Sequence, residues 1–347
     1  MTDGGSVRGA AGASGAADRV AARVAALMGH GNGPGARPVD VRPVSGGDIC
    51  DAYRIVLPGG RAVFAKALPD APEGFFAAEA AGLELLAATG APAVPTVLAA
   101  EEDVLVLEWV EPGPPSAAQA ERLGRELAAM HTVRAPAWGG ALSNRFPDRF
   151  PGRFPGRPSG PPVFLGSVPL PSPPAPSSPK APPDRRAPSR EEGWPAFHAR
   201  HRLLPLLRRA VDAGGIGGRD ARDVERLCEE LSADPADGTG LSGPPQPPAV
   251  VHGDLWSGNV LWAADGRARL IDPSAQGGHP ETDLAVLELF GCPHLERLLS
   301  AYEEVRPVPG RRSRLPLHQL QHLLVHAVLF GPGYGTRCGT AARAALG

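Results

Sequence analysis

The chain has 347 residues, 42% hydrophobic and 21% charged, with a formal charge of −2. That balance fits a folded globular protein and excludes a strongly basic nucleic-acid binder, since no Lys/Arg block rises above an ordinary solvated surface. No apolar run of about 18 residues and no basic-then-apolar leader is present, and Cys50, Cys228, Cys292 and Cys338 form no CxxC pair. The expectation is a cytoplasmic protein with free thiols and neither membrane nor nucleic-acid partners.

Pro and Gly together make about a quarter of the chain. That level borders on disorder, but the excess is concentrated in particular segments. Residues 1–15 are Gly, Ala and Ser with little to bury, and read as a disordered tail. Asp18 to Met28 is an Ala-rich candidate helix. Val39–Val44, Ile49–Leu57 and Arg61–Leu68 have strand character, separated by the turns Ser45-Gly46-Gly47-Asp48 and Pro58-Gly59-Gly60. Phe75 to Thr89 switches to a helical period, with Phe76, Ala80, Leu83 and Leu86 on one face and Gly90 as a stop. Val94–Ala99 and Val104–Val110 resume strand character. The stiff Glu111-Pro112-Gly113-Pro114-Pro115 break then marks a candidate boundary between an N-terminal part (16–111) and a C-terminal part (112–347).

Beyond it Ser116 can cap a helix running to His131. Residues from about 145 to 192 carry Arg-Phe-Pro repeats and a Pro/Ser tract, and read as a disordered or extended insert. Trp194–Ala213 and Ala221–Leu231 are helical. Val260–Trp262 and Ala268–Ile271 flank an Asp265-Gly266 hairpin turn. Thr282–Phe290, Leu295–Val305 and Leu315–Phe330 are further helices. The whole is an α+β chain, β-rich at the N-terminus and mainly helical at the C-terminus.

The chemistry concentrates in Val250-Val251-His252-Gly253-Asp254-Leu255-Trp256-Ser257-Gly258-Asn259, followed by Ile271-Asp272-Pro273. Phosphoryl transfer asks a protein for metal ions, held phosphates and a carboxylate at the attacking hydroxyl. Asp254 can take or orient the hydroxyl proton, while Asn259 and Asp272 are hard oxygen ligands suited to Mg²⁺. The Asp-x-x-x-x-Asn spacing also occurs in the catalytic loop of protein kinases. Lys66, on the apolar strand Val63–Leu68, is either an edge-strand lysine reaching solvent or a cation for ATP phosphates, and Glu79, thirteen residues on, favours the second. Gly46 and Gly47 are a weak motif alone, but before Lys66 they suggest phosphate contact through backbone N–H groups.

His-Gly-Asp with the downstream Ile-Asp-Pro resembles the aminoglycoside phosphotransferase branch of the kinase-like superfamily. His252-Gly253-Asp254-Leu255-Trp256-Ser257-Gly258-Asn259 resembles the fructosamine (ketosamine) 3-kinase family within it. Phe64-Ala65-Lys66, Glu79-Ala80-Ala81-Gly82-Leu83, Val163-Phe164-Leu165-Gly166-Ser167 and His318–Leu324 with Leu329–Tyr334 extend the resemblance over residues 40–335. It implies a bilobal protein-kinase-like fold with ATP and Mg²⁺ between the lobes, a Lys66–Glu79 ion pair and an adenine edge bound by Glu108, Trp109 and Val110. The alternative for Glu108–Val110 is an ordinary buried strand end.

The acceptor it implies is a ketosamine, free or on a protein, phosphorylated at its 3-hydroxyl as a repair of glycated amines. Asp283 would brace the catalytic loop and His252 would orient it. Trp256 is either core or acceptor wall. Cys50, after the phosphate turn, is either redox-sensitive or a small buried hydrophobe. Two features depart from the family pattern: the long insert, and Gln276-Gly277-Gly278-His279-Pro280-Glu281 where the family has Tyr-Gly and Arg-Glu. An aminoglycoside, amino-alcohol or other small-metabolite acceptor is therefore the alternative. A non-catalytic pseudokinase is a further rival, opposed by the full set Lys66, Glu79, Asp254, Asn259 and Asp272.

Overall fold

A computed structural model describes residues 10–29, 37–45, 49–139, 162–171, 193–235 and 237–347. The chain divides into two compact units, Met1–Ala80 with Pro95–Glu111, and Ala81–Val94 with Pro112–Gly347.

The first unit is built on an antiparallel sheet of β1 (Asp40–Pro43), β2 (Asp51–Val56), β3 (Ala62–Ala67), β4 (Val97–Ala100) and β5 (Val104–Glu108), in the order β1-β2-β3-β5-β4. Gly59 and Gly60, with φ of 91° and 86°, turn β2 into β3, a conformation that favours glycine. Tyr53, Ile55, Val63 and Ala65 share a core with Ala21, Val24 and Ala25 of helix α1 (Ala10–Leu27). The two-residue period of β3 sends Lys66 to the opposite face. Since β3 is the middle strand, Lys66 is not on an edge. Helix α2 (Phe75–Ala88) follows, and the division between the units falls inside it.

The second unit is mainly helical. Ser116 caps α3 (Ala117–Met130) by accepting the Gln119 N–H, and its hydroxyl also donates to the Gln119 side chain. α3 lies so close to α8 (Leu295–Val305) that a Cβ on Gly124 would stand 2.1 Å from the Leu298 carbonyl oxygen. Three two-stranded ladders complete the unit: β6 (Val163–Leu165) with β7 (Val168–Leu170), β8 (Ala249–Val251) with β11 (Gln276–Gly278), and β9 (Val260–Trp262) with β10 (Ala268–Leu270). The remaining helices are α4 (Trp194–His198), α5 (Leu204–Asp212), α6 (Gly218–Ser232), α7 (Pro280–Phe290), α9 (Arg311–Phe330) and α10 (Pro332–Leu346). A wider π turn, Ala199–Leu203, joins α4 to α5.

Three features differ from the sequence reading. α1 starts at Ala10, inside the stretch expected to be a disordered tail, because an Ala-rich segment propagates helix through its glycines and serines. The β6–β7 hairpin lies inside the stretch 145–192, and Val163, Leu165, Val168 and Leu170 are buried in the core around α5, α6 and α9. The Arg-Phe-Pro repeats and most of the Pro/Ser tract lie outside the described residues. Helix α10 was hidden by its glycines. Gly335 and Gly339 let it pack closely, since a Cβ on either would meet the Gly215 carbonyl or the Asp220 carboxylate at 2.2 or 1.9 Å.

Trp194 of α4 is the centre of a buried aromatic stack, with ring centroids 4.7 Å from His198, 4.6 Å from His318 and 4.7 Å from His279. Burial, reinforced by neighbouring cations, lowers His198 and His279 to about 3, and His318 well below its ordinary value. All three are neutral in the fold. Unfolded, they titrate near 6.5, so below that pH the unfolded chain binds more protons. Their contribution is complete above about pH 6.5 and is lost as the pH falls toward 3, at up to about 1.4 kcal/mol per pH unit for each ring. The melting temperature is expected to drop steeply between about pH 7 and pH 5, and a flat profile in differential scanning calorimetry over that range contradicts this account.

Candidate active site

Lys66 Nζ lies 3.0 Å from both carboxylate oxygens of Glu79 on α2, and both side chains are largely buried. A bidentate pair in such surroundings fixes the ammonium at one point of the sheet face. Glu108 and Trp109 stand at and just beyond the end of β5. The Glu108 N–H donates to the Thr96 carbonyl (2.9 Å), its carboxylate accepts from the Thr96 hydroxyl (2.8 Å), and Trp109 Nε1 donates to Glu111 (2.9 Å) under the Arg54 guanidinium. Val110 follows, buried. Gly46 and Gly47 lie outside the described residues, while Cys50 is half-buried and in no disulfide.

In the second unit, β8 delivers the chain into the loop His252–Asn259. Asp283, fully buried near the start of α7, accepts the His252 N–H at 2.7 Å on one oxygen and the Gly253 N–H at 2.9 Å on the other. His131, at the end of α3, adds Nε2 at 3.2 Å, and its Nδ1 meets the Tyr302 hydroxyl at 2.9 Å. Since Asp283 accepts, His131 carries a proton on Nε2. Burial alone would raise the Asp283 pKa. The His131 bond and charge, with His252 and the Gly253 N–H, outweigh it and hold the carboxyl below the usual range.

His252 faces the other way. Its Nδ1 accepts the Asp254 N–H (3.3 Å), so Nε2 carries the proton donated to the Ile271 carbonyl (2.9 Å). Burial, opposed by Asp283, Asp254 and the Ile271 carbonyl, keeps the ring neutral by lowering its pKa. His252 is therefore an orienting residue. Gly253 has φ 82°, and a Cβ there would meet the Ser274 carbonyl at 2.3 Å.

Asp254, Asn259 and Asp272 are brought together by this framework. Asn259 Nδ2 donates to the Asp254 carbonyl at 2.8 Å and leans on its carboxylate at 3.4 Å. His322 Nε2 on α9 bonds the Gly253 carbonyl (3.1 Å) and stands 3.6 Å from the Asp254 carboxylate. The β9–β10 ladder is prolonged by the Ile271 N–H donating to the Asn259 carbonyl (3.1 Å), which sets Asp272 next to the Asn259 strand end. Asp272 has φ 55°, a left-handed conformation uncommon outside glycine and concentrated at functional sites. Asn259 is committed through its nitrogen, and its amide oxygen and the Asp272 carboxylate are hard oxygens of the kind that could hold Mg²⁺.

The residues that depart from the family pattern lie behind this loop. Gln276 is buried in the β8–β11 ladder and accepts from Arg202 (2.6 Å), which also donates to the Pro171 carbonyl (2.6 Å). A Cβ on Gly277 would stand 1.9 Å from the Ala137 carbonyl. His279, Glu281 and His318 offer donor atoms within 4.8 Å of one another, but both Glu281 oxygens are engaged by Arg314 at 2.8 and 3.0 Å. A guanidinium already holds that carboxylate, so the cluster is a brace. His131, Tyr302, Arg202 and His322 were not singled out from the sequence, since each acts on a partner dozens of residues away and no local pattern marks it.

The sequence matches the fructosamine kinase family over residues 21–146 and 185–346. The chain belongs to the fructosamine kinase family. Its match omits 147–184, the heart of the Pro-rich insert. A probable ketoamine kinase of Thermus thermophilus is 37% identical over 295 residues, covering 84% of this chain and 88% of its own. A crystal structure from Thermobifida fusca, named a "putative fructosamine-3-kinase", is 40% identical with a TM-score of 0.75, covering 95% of this chain and 99% of its own. A macrolide 2'-phosphotransferase, 19% identical over 99% of this chain and 98% of its own, shares the fold with a TM-score of 0.55. The fold is the bilobal α+β kinase-like one, and as a fructosamine kinase the chain is a phosphotransferase. Among the described residues no helix is long and apolar enough to cross a membrane.

Replacing Asp283 with Ala strands the His131 ring proton and two backbone N–H groups in a buried site. At about 1–3 kcal/mol for each group left unpaired, Asp283→Ala is expected to lose several kcal/mol in urea unfolding. A loss under about 1 kcal/mol rules out the bracing role.

Proposed function

We propose that this fructosamine kinase transfers the γ-phosphoryl group of ATP to the 3-hydroxyl of a ketosamine, fructosamine or ribulosamine, free or attached to a protein amine, in the repair of glycated amines. The observation that carries this reading is Asp254, held at the tip of a loop pinned by Asp283 and tied to Asn259. Transfer forms a bond from the acceptor oxygen to the γ-phosphorus and breaks the bond from that phosphorus to the bridging oxygen of ADP. The hydroxyl proton passes to the Asp254 carboxylate.

Lys66, steadied by Glu79, pairs with the α/β-phosphates. Glu108, Trp109 and Val110 meet the adenine edge. Asn259 and Asp272 hold Mg²⁺, which when bound neutralises charge on the transferring phosphates. Ketosamines are favoured over aminoglycosides by family membership, and the departures Gln276 and Gly277 are engaged in packing behind the loop.

Asp254→Asn keeps a planar side chain and leaves the Asn259 bond to the backbone carbonyl available. Turnover is expected to fall on the order of 10²–10⁴-fold while ATP binding is retained. The decisive measurement is ADP release and product phosphate with Mg·ATP across a panel of fructosamines, ribulosamines, aminoglycosides and amino alcohols. Wild-type turnover of none of the ketosamines rejects the acceptor, and ATP binding without any turnover points to a pseudokinase.

A further inference from the structure

Residues 272–275, which begin with the Asp272 carboxylate, belong to no strand or helix. Their ends are fixed by the flanking ladders, where the Ile271 N–H donates to the Asn259 carbonyl and Gln276 pairs with Val251. Their middle depends on side chains. Pro273 and Ala275 pack on α2 at Gly82, where a Cβ would meet them at 3.0 and 3.3 Å. The Ser274 hydroxyl donates to the Phe164 carbonyl of β6. The Ser274 carbonyl accepts Gln276 Nε2 at 3.3 Å and abuts Gly253 of the catalytic loop, where a Cβ would meet it at 2.3 Å.

Gln276 is itself held by Arg202, a guanidinium 1% exposed. Arg202 donates to the Gln276 side-chain oxygen at 2.6 Å, to the Pro171 carbonyl at the exit of the β6–β7 hairpin at 2.6 Å, and to the His201 carbonyl at 2.9 Å. The Phe197 ring covers its face at 4.9 Å. Each of these acceptors is a neutral oxygen, so the cation gains no ion pair from them. Burying a charge in this way costs stability. What the guanidinium supplies in return is a planar fork with fixed angles between its bonds. With Oε1 claimed by that fork, the Gln276 amide turns Nε2 to the Ser274 carbonyl, two residues after Asp272.

We propose that Arg202 is a positioning residue for phosphoryl transfer, acting through Gln276 and Ser274 to set the place of Asp272 and so the protein's affinity for Mg²⁺ with the nucleotide. This rests on the reading of Asp272 as a holder of Mg²⁺ and adds the group that keeps it in place. Groups that orient a metal ligand typically matter 10–100-fold for metal affinity, as a rough guide.

Two variants of the full chain test it. Arg202→Lys keeps the charge and loses the fork. Gln276→Glu keeps an oxygen for Arg202, gains an ion pair with it and loses the donor to Ser274, so it breaks the link without stranding the guanidinium. The readout is calorimetric binding of the β,γ-imido analogue of ATP at increasing Mg²⁺ and with the metal chelated. Both variants are expected to need on the order of 10-fold more Mg²⁺ for half-maximal binding, with the metal-free affinity unchanged. Their kcat is expected to recover at high Mg²⁺ with KM for the acceptor unchanged. Arg209→Ala, which releases the Pro169 carbonyl of the same hairpin, is expected to keep the wild-type Mg²⁺ dependence. Should Arg202→Lys fail to fold, Gln276→Glu decides. A wild-type Mg²⁺ dependence in Gln276→Glu, an equal shift in Arg209→Ala, an equal loss of metal-free binding, or an unfolded Gln276→Glu overturns the proposal. If the wild-type chain binds the analogue equally with and without Mg²⁺, the metal reading itself fails and the proposal falls with it.

Discussion

The buried carboxylate of Asp283 is the constraint on which the catalytic loop depends. One side chain from α7 receives two consecutive backbone N–H groups of the loop and a ring N–H from the end of α3. An ionised carboxylate out of water is costly unless its oxygens are satisfied, and here charge-assisted bonds do so. The same bonds fix the path of His252 and Gly253, so Asp254 emerges in one direction. The Gly253 conformation, with the Ser274 carbonyl where a Cβ would lie, closes the remaining freedom.

Around that hub, buried histidines serve as connectors. His252 joins the loop to the Ile271 carbonyl, His131 joins Asp283 to Tyr302, and His322 joins α9 to the Gly253 carbonyl. An imidazole has one donor and one acceptor, so its tautomer follows from its partners. Lys66 and Glu79 follow the same economy in the first unit, where the ammonium is held by both oxygens of one carboxylate and has little room to wander.

What the sequence made legible was local. Strands β1 to β5, the Ser116 cap, the Asp265-Gly266 hairpin and the Lys66–Glu79 pair each rest on a period, a turn or a short spacing. Asp254 and Asn259 were singled out by their spacing and Asp272 by the strand pair that leads to it, and the hairpin lies between Asn259 and Asp272. The partners that hold them were not. Tyr302 reaches His131 across 171 positions and His322 reaches Gly253 across 69, and neither is marked by its neighbours. Helix α10 was missed for a related reason. Gly335 and Gly339 argue against a helix by propensity, whereas in the fold they admit a close approach that tertiary packing rewards.

The β6–β7 hairpin shows how composition misleads when averaged over a window. Proline on both sides hides two three-residue strands whose apolar side chains are buried. Their placement is not incidental to the site. The Phe164 carbonyl accepts the Ser274 hydroxyl two residues after Asp272, and Arg202 ties the Pro171 carbonyl at the hairpin exit to Gln276. Gln276 is an amide that can accept from a buried guanidinium, and burial lowers that guanidinium to about 9. Removing either partner would leave the other unsatisfied, so the two must change together. Gln276 therefore helps support the Asp272 segment.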